Sequence, residues 1–415
     1  MNYPDSVRYL YALGNEIKSA KLGLDRIEKL LAALGNPHLC CPFVHVAGTN
    51  GKGSVCAMVE SAFRAEGRKT GLYTSPHLLE PTERIRINGT PVTADEFAAA
   101  FGEVHSAALG LADAGELETH PTYFETVTAM CFLLFRQRGV ETGVLEVGLG
   151  GRLDATNVVL PQVAAITRID YDHEAWLGKQ LHEIAREKAG IIKPRIPVVL
   201  GLQREDVYPL LKARAAELGS AVIEPPEVDS VVSDRWGSSF RIRSMQLDCP
   251  LPGAHQVENA RTAVAILQHI GVREESIQLG LRSVVWPGRL QRVSDNPEVI
   301  LDGAHNPSGA EALAEFIRRF YAGRRVTLIF AVMRDKAVEQ IARILFPLAS
   351  TVIATAPHLD RAVKPEVIAG LAHHPDVRVA RDLDEAVEVA GEVDVLFISG
   401  SLFLVAEALG RWSRG

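Results

Sequence analysis

Phe43-Val44-His45-Val46-Ala47-Gly48-Thr49-Asn50-Gly51-Lys52-Gly53-Ser54 decides the fold: a short apolar run, read as a strand, enters a glycine-rich loop and then a helix. Val55, Met58, Val59, Ala62 and Phe63 recur after it at helical spacing, and Gly67 marks the stop. A strand that passes through a tight loop into a helix belongs to a parallel sheet covered by helices.

The loop is of a kind that holds phosphate. Without Cβ atoms, Gly48, Gly51 and Gly53 let backbone N–H groups approach an anion, and the helix N-terminus adds the positive end of its dipole. Lys52 supplies a point charge for terminal phosphates and Ser54 a hydroxyl for Mg²⁺. The spacing is a variant, because the standard P-loop sets Ser or Thr directly after the Lys, whereas Gly53 intervenes here. The plainer alternative is a tight turn that caps a helix. It leaves the conjunction of strand, loop, Lys and helix unexplained.

Outward from this unit the same alternation continues through almost the whole chain. Strands are expected at 143–147 and 163–167, and a mixed, more polar stretch at 220–250 reads as a β-rich appendage of the first domain. Gly, Pro, Asn, Asp and Arg crowd Pro287 to Pro297 and mark a boundary. Beyond it strands are expected at 298–301, 326–331, 351–355, 377–380 and 394–399, with helical patterns between. The 415 residues thus divide into a P-loop-containing α/β domain, 1–295, and a smaller Rossmann-like α/β domain, 296–415.

Hydrophobic residues at 47% against 23% charged describe a globular chain with large cores. A net charge of −7 argues against a nucleic-acid partner, whose phosphates call for a basic surface. Five cysteines without C-x-x-C spacing fit a reducing compartment, and Cys56 and Cys131 sit among apolar neighbours as core residues. No run of signal-peptide type opens the sequence, and the longest apolar stretch, Ala129 to Phe135, is too short to span a bilayer. The reading is a soluble, cytoplasmic monomer with no membrane partner.

Several polar residues stand where packing alone would not put them. Leu181, Ile184, Ala185, Ala189 and Ile192 form one apolar helical stripe, and Lys188 falls inside it. Lysine is rarely buried unless paired. Burial drives an amine toward its neutral form, which can add CO₂ and become a carbamate. On spacing alone, an ammonium that snorkels to solvent is the simpler reading. Glu125 opens a nearly all-apolar helix and reads equally as a complement to the helix dipole or as a ligand for a hard cation. Asp170, Asp172 and His173 follow the strand at 163–167, at the carboxyl end where open parallel sheets bind ligands. Glu146, an acid inside an apolar strand ahead of Gly148-Leu-Gly-Gly151, is unusual there, and its plain reading is a hydrogen-bonded structural carboxylate. Asp302 and His305 stand at the end of the strand at 298–301, unless Asp302-Gly303 and Asn306-Pro307 form only a turn.

His45-Val-Ala-Gly-Thr-Asn-Gly-Lys-Gly-Ser54, Thr74-Ser-Pro-His-Leu78, Glu83-Arg-Ile-Arg86, Leu145-Glu-Val-Gly-Leu-Gly-Gly-Arg-Leu-Asp-Ala-Thr-Asn157, Asp172-His173, Glu187-Lys-Ala-Gly-Ile-Ile192, His255-Gln256 with Asn259, Pro287-Gly-Arg289, Leu301-Asp-Gly-Ala-His-Asn-Pro307 and Gly400-Ser-Leu402 follow one another in order. Together they resemble the folylpolyglutamate synthase/dihydrofolate synthase family of the Mur ligase superfamily. The resemblance implies a Mur-ligase-type central domain in which Thr49, Asn50, Gly51, Lys52, Gly53 and Ser54 cradle the ATP phosphates. Asn259, Arg289 and Asp302 would contact the nucleotide. Ser54 and Glu125 would hold one Mg²⁺, and His173 with a carbamate on Lys188 a second. His305 would approach the γ-phosphate, while Ser75, Pro76, His77, Arg84 and Asp154 would line the pterin or folate pocket. This context reverses the reading of Lys188 in favour of the carbamate. Three positions depart from the family pattern: residues 167–170 read Thr-Arg-Ile-Asp where Thr-Ser-Ile-Gly or Ala is more usual, so Arg168 and Asp170 differ, and Ala331 stands where glycine is usual.

The implied activity is an ATP-dependent ligase that joins L-glutamate to dihydropteroate, to a reduced folate, or to both, through an acyl phosphate, and both is the favoured reading. Rival readings are a muramyl-peptide ligase, a P-loop ATPase or switch, and a non-catalytic nucleotide sensor. Residues 1–42 show no extra sugar-nucleotide domain, which speaks against the first.

Overall fold

The computed structural model describes residues 1–13, 23–371 and 373–413. They gather into two compact units: Met1–Ile169, Leu181–Glu227 and Asn259–Ser283 form the first, and Asp170–Gln180, Val228–Glu258 and Val284–Gly415 the second.

An eight-stranded sheet organises the first unit. Its strands are β1 (Phe43–Ala47), β2 (Thr70–Tyr73), β3 (Ile85–Ile87), β4 (Thr90–Pro91), β5 (Thr142–Glu146), β6 (Val163–Ile166), β7 (Val198–Leu200) and β8 (Val222–Ile223). They lie in the order β4-β3-β2-β5-β1-β6-β7-β8, with β3 and β4 antiparallel at one edge and the rest parallel. β1, β5 and β6 are buried throughout, because a parallel sheet carries helices on both faces. Glycines make room inside it: a Cβ on Gly71 would meet the Phe135 ring at 2.6 Å, and one on Gly143 the Phe43 ring at 2.4 Å. Phe135 comes from the helix Tyr123–Gln137, which is apolar nearly all round because it is buried nearly all round. The order reverses at β1, with β2 and β5 on one side and β6 to β8 on the other. The carboxyl end of β1 is therefore the crevice where such sheets bind ligands.

The second unit holds two sheets. β9 (Ser230–Ser233), β10 (Ser238–Ile242) and β11 (Met245–Cys249) form a small antiparallel sheet. β12 (Gln291–Asp295), β13 (Glu298–Asp302), β14 (Val326–Phe330), β15 (Thr351–Ala354), β16 (Val377–Val379) and β17 (Val395–Ser399) form a six-stranded sheet in the order β12-β13-β17-β14-β15-β16. All of its neighbours are parallel except β12 with β13. Phe330, Phe397, Leu313 and Leu345 lie in its core.

The α/β class and the expected strands are present, each within one residue of its predicted ends. Two features differ. β12 is polar and half-exposed, so it carries no apolar run and was hidden in a stretch that reads as a boundary. The 220–250 stretch is not one appendage of the first domain. β8 joins the large sheet, whereas β9 to β11 group with the second unit. Arg235 explains the grouping, since its Nη1 lies 3.4 Å from the buried Glu298 carboxylate, and the neighbouring Trp236 ring packs against Arg292 at 3.6 Å. No helix among the described residues is long and apolar enough to cross a membrane.

Candidate active site

In the first unit, loops from the carboxyl ends of β1, β5 and β6 converge. Gly48 has φ +146° and Gly51 φ +87°. A Cβ on Gly48 would lie 1.8 Å from Thr167 Oγ1, and one on Gly51 would lie 2.2 Å from Asn259 Oδ1, so both positions require glycine. Gly51 is the left-handed N-cap of the helix Lys52–Ala65, whose first-turn N–H groups lack helical acceptors and suit an anion. The Thr49 and Asn50 N–H groups donate to the Arg168 carbonyl at 2.9 and 3.3 Å, so these two residues brace the loop through the backbone. Arg168 is exposed, and its carbonyl is the acceptor that braces the loop. Lys52 folds back over the loop with Nζ 3.2 Å from the Thr49 carbonyl, and Ser54 is buried. The cradle fits a polyphosphate: glycine at its tight points, free first-turn amides and one ammonium above.

Lys188 does not snorkel. It is 5% exposed, and its Nζ donates to the Gly48 carbonyl at 2.8 Å, which holds the amine against the phosphate loop. Glu146 is the last residue of β5, paired in register with Val46 of β1, and is buried. Its Oε2 accepts the Ser75 N–H at 3.1 Å, so this carboxylate links the phosphate side to the Ser75 loop.

Glu125 is engaged otherwise. Its Oε2 accepts the Thr122 N–H at 2.8 Å in a capping box and the Arg26 Nε–H at 3.1 Å in a buried ion pair. Asp154 serves its own loop. Oδ2 accepts the Gly148 and Leu149 N–H groups, and Oδ1 accepts the Thr156 N–H and hydroxyl. Burial still raises its pKa above the ordinary carboxylate value. Behind it, His45 Nε2 lies 2.8 Å from Thr156 Oγ1, and complete burial pushes this imidazole down to about 3.

The Ser75 loop forms one side of an aromatic cluster. Arg84 Nε donates to His77 Nδ1 at 2.9 Å, and burial together with this cation lowers His77 to about 3. Arg84 also stacks over the Tyr123 ring, which lies parallel to Tyr11 with centroids 5.7 Å apart, while Pro76 is exposed. Tyr11 and Tyr123 escaped detection in the sequence because nothing local marks them; only the tertiary fold brings them to His77.

In the second unit, Asp172 is a hub. Its Oδ1 accepts from Lys336 Nζ at 2.6 Å, its Oδ2 accepts from Asn306 Nδ2 at 3.1 Å, and His305 Nε2 lies 3.6 Å from Oδ2. Burial opposes ionisation of Asp172, but hydrogen bonding and charge from His305, with Lys336 and His173, outweigh it and hold the carboxyl well below its usual range. His173 Nε2 lies 3.5 Å from Lys336 Nζ, and His305 Nδ1 is fixed on the Gly303 carbonyl at 2.7 Å. Lys336 was the residue the sequence concealed, since a Lys in a polar loop is ordinary until its partner is known. Asp302, at the end of β13, accepts the Leu290 and Ala304 N–H groups, both at 2.9 Å. Burial raises its pKa against the nearby Arg289, whose Nη1 donates to the Gly288 carbonyl.

Among the described residues no three His, Cys, Asp or Glu side chains converge as a metal cage.

A parallel sheet with a phosphate loop at its switch point, followed by a second α/β unit, defines a class: residues 46–267 match the Mur ligase middle domain and residues 288–402 the Mur ligase glutamate ligase domain. Among curated relatives, the probable bifunctional folylpolyglutamate synthase/dihydropteroate synthase of Halobacterium salinarum is 36% identical over all of this chain. The chain spans about half the length of that relative, 52%. The dihydrofolate synthase/folylpolyglutamate synthase of Bacillus subtilis is 32% identical, covering 94% of this chain and 95% of its own. Among solved structures, Mycobacterium tuberculosis folylpolyglutamate synthase complexed with ADP and AMPPCP superposes with a TM-score of 0.92 at 32% identity over the whole of both chains. Escherichia coli FolC in complex with DHPP and ADP gives 0.89 at 32% identity, covering 100% of this chain and 98% of that one. The bifunctional Yersinia pestis protein complexed with AMPPNP and Mn ion gives 0.85 at 32% identity, with the same coverage. The chain belongs to the folylpolyglutamate synthase/dihydrofolate synthase family.

Proposed function

We propose that this chain is an ATP-dependent amide ligase that adds L-glutamate to dihydropteroate, to reduced folates, or to both. The observation that carries the reading is the glycine loop at the β1 switch point, with the buried Lys188 amine held on the Gly48 carbonyl. A carboxylate is a poor acyl donor because its leaving group would be oxide. An acceptor carboxylate oxygen attacks the γ-phosphorus of ATP and ADP departs. The amine of glutamate then attacks the carbonyl of the acyl phosphate, phosphate leaves, and the nitrogen loses a proton as the amide forms. The chain contributes positioning and charge neutralisation. Lys52 and the first-turn amides hold the phosphates. His305, with Nδ1 fixed on Gly303 and Nε2 backed by Asp172, offsets charge on the transferred group. The exposed Tyr11 ring and the half-buried His77, backed by the buried Tyr123 and Arg84, offer an aromatic face suited to a pterin.

Mg²⁺, when bound, neutralises the phosphate oxygens. Ser54 and Glu146 are the donors best placed beside the loop, and they take precedence over Glu125, whose carboxylate is occupied by Thr122 and Arg26. We assign a carbamate on Lys188 to a second cation. A buried amine fits that chemistry, because carbamylation turns a cation into an anion with hard oxygen donors. The Mn ion in the Yersinia pestis relative supports a divalent metal. We also place the ATP chemistry in 1–295 and the glutamate-ligase role in 296–415, in keeping with the two matched segments, and the protein in the cytoplasm as a monomer.

The test is phosphate release from Mg-ATP with L-glutamate, with dihydropteroate in one reaction and tetrahydrofolate in another. Release that needs glutamate and either acceptor establishes the ligase, and the responding reactions separate single from double activity. Release without an acceptor would make it an ATPase, and binding of ATP without release would make it a sensor.

A further inference from the structure

Cys40 and Cys41 are adjacent in sequence, and both are partly exposed with no disulfide. They follow the short 3-10 turn Pro37–Leu39 and precede Pro42, whose carbonyl accepts the Gly143 N–H at 3.0 Å. Their sulfurs are hydrogen-bonded at 3.7 Å. Arg136, anchored on the Gly35 carbonyl at 3.0 Å, stands nearby. Hydrogen bonding with Cys41 and the Arg136 charge favour a thiolate at Cys40, while Cys41 is pushed up by the same hydrogen bond and by burial.

The geometry points to a chelating dithiol: we propose that Cys40 and Cys41 capture trivalent arsenicals between their two sulfurs. A disulfide is the less suitable product. Its S–S bond is about 2.05 Å and its Cα atoms usually stand about 4.4–6.8 Å apart, whereas adjacent Cα atoms across a trans peptide are held at about 3.8 Å. A single larger atom between the sulfurs matches the 3.7 Å gap with little backbone movement. With an arsine oxide the step balances without an oxidant or reductant. Two As–S bonds form, the As=O bond breaks, and both thiol protons leave with the oxygen as water. The backbone anchor at Pro42 keeps the pair at the head of β1, outside the phosphate loop at the other end of that strand.

The probe is phenylarsine oxide, added to the full chain and followed by intact mass and by thiol titration. The expected result is one phenylarsenic group per chain with loss of two titratable thiols, reversed by 2,3-dimercaptopropanol and not by an equal excess of a monothiol. Fragment masses of the wild-type adduct should place the arsenic on the peptide that holds both residues, which needs no variant to fold. Cys40→Ser and Cys41→Ser should each lose the monothiol-resistant adduct. Reversal by the monothiol, an adduct that bridges Cys40 to Cys131, or an unchanged adduct in either variant would overturn the proposal. So would ready conversion of the pair to a disulfide by a mild oxidant in place of arsenical capture.

Discussion

Replacing Lys188 by Met removes the donor to Gly48 while keeping the volume of the side chain. The bare carbonyl left beside the loop should cost about 1–3 kcal/mol in urea unfolding, and turnover should vanish. If the carbamate forms, wild-type activity falls in CO₂-depleted buffer and returns with bicarbonate; activity indifferent to both would remove the carbamate from the scheme. Gly51→Ala forces a Cβ into the left-handed region and against Asn259, a strain of order 1–3 kcal/mol. ATP affinity measured by calorimetry should fall by about tenfold or more. The third residue-scale prediction concerns pH. His45 is neutral when folded, with a value of about 3, against about 6.5 when unfolded. Its contribution is whole above about pH 6.5 and is lost as pH falls toward the folded value, by about 2 kcal/mol at pH 5. His45→Asn should therefore be weaker near neutral pH yet lose about 2 kcal/mol less than wild type between about pH 7 and pH 5.

Between residues and the whole lie caps and registers. Thr122 and Glu125 form a reciprocal cap on Tyr123–Gln137, and Gln can replace Glu in such a box. Glu125→Gln keeps the cap but removes the negative charge that faces Arg26 in the buried pair, so it should cost on the order of 3 kcal/mol and leave the Mg²⁺ dependence of turnover where it was. Glu146→Gln should raise the Mg²⁺ concentration for half-maximal rate by about tenfold, the loss of a charged ligand being worth about 1.4 kcal/mol or more; a shift in the Glu125 variant alone would exchange the two roles. Glu146 also shows where legibility ended. The loop, its helix and the apolar stripe around Lys188 were readable because they are written in local spacing. Read one residue long, β5 buried Glu146 inside the strand; ending at Glu146 it places the acid at the carboxyl edge, beside the loop. Lys336, Tyr11 and Tyr123 have no local signature, since each acquires meaning from a partner far away in sequence. β12 was missed because edge strands tolerate polar residues.

At the scale of the molecule, the two units are not two lengths of chain. Segments 170–180 and 228–258 belong with 284–415, so Asp172 meets Lys336 and Arg235 meets Glu298 across long stretches of sequence. A chain cut at residue 296 strips Asp172 of His305 and Lys336 and leaves β12 without β13. Such a fragment should bind ATP weakly and release no phosphate from any acceptor, and full turnover by it would refute the functional division. The same interleaving governs what a protease can achieve. A nick at 227/228 leaves residues 259–283 of the first unit on one fragment and the rest of that unit on the other. The two pieces stay joined by the helix packing inside it, so limited digestion should give fragments that part on a denaturing gel and travel together through a native column.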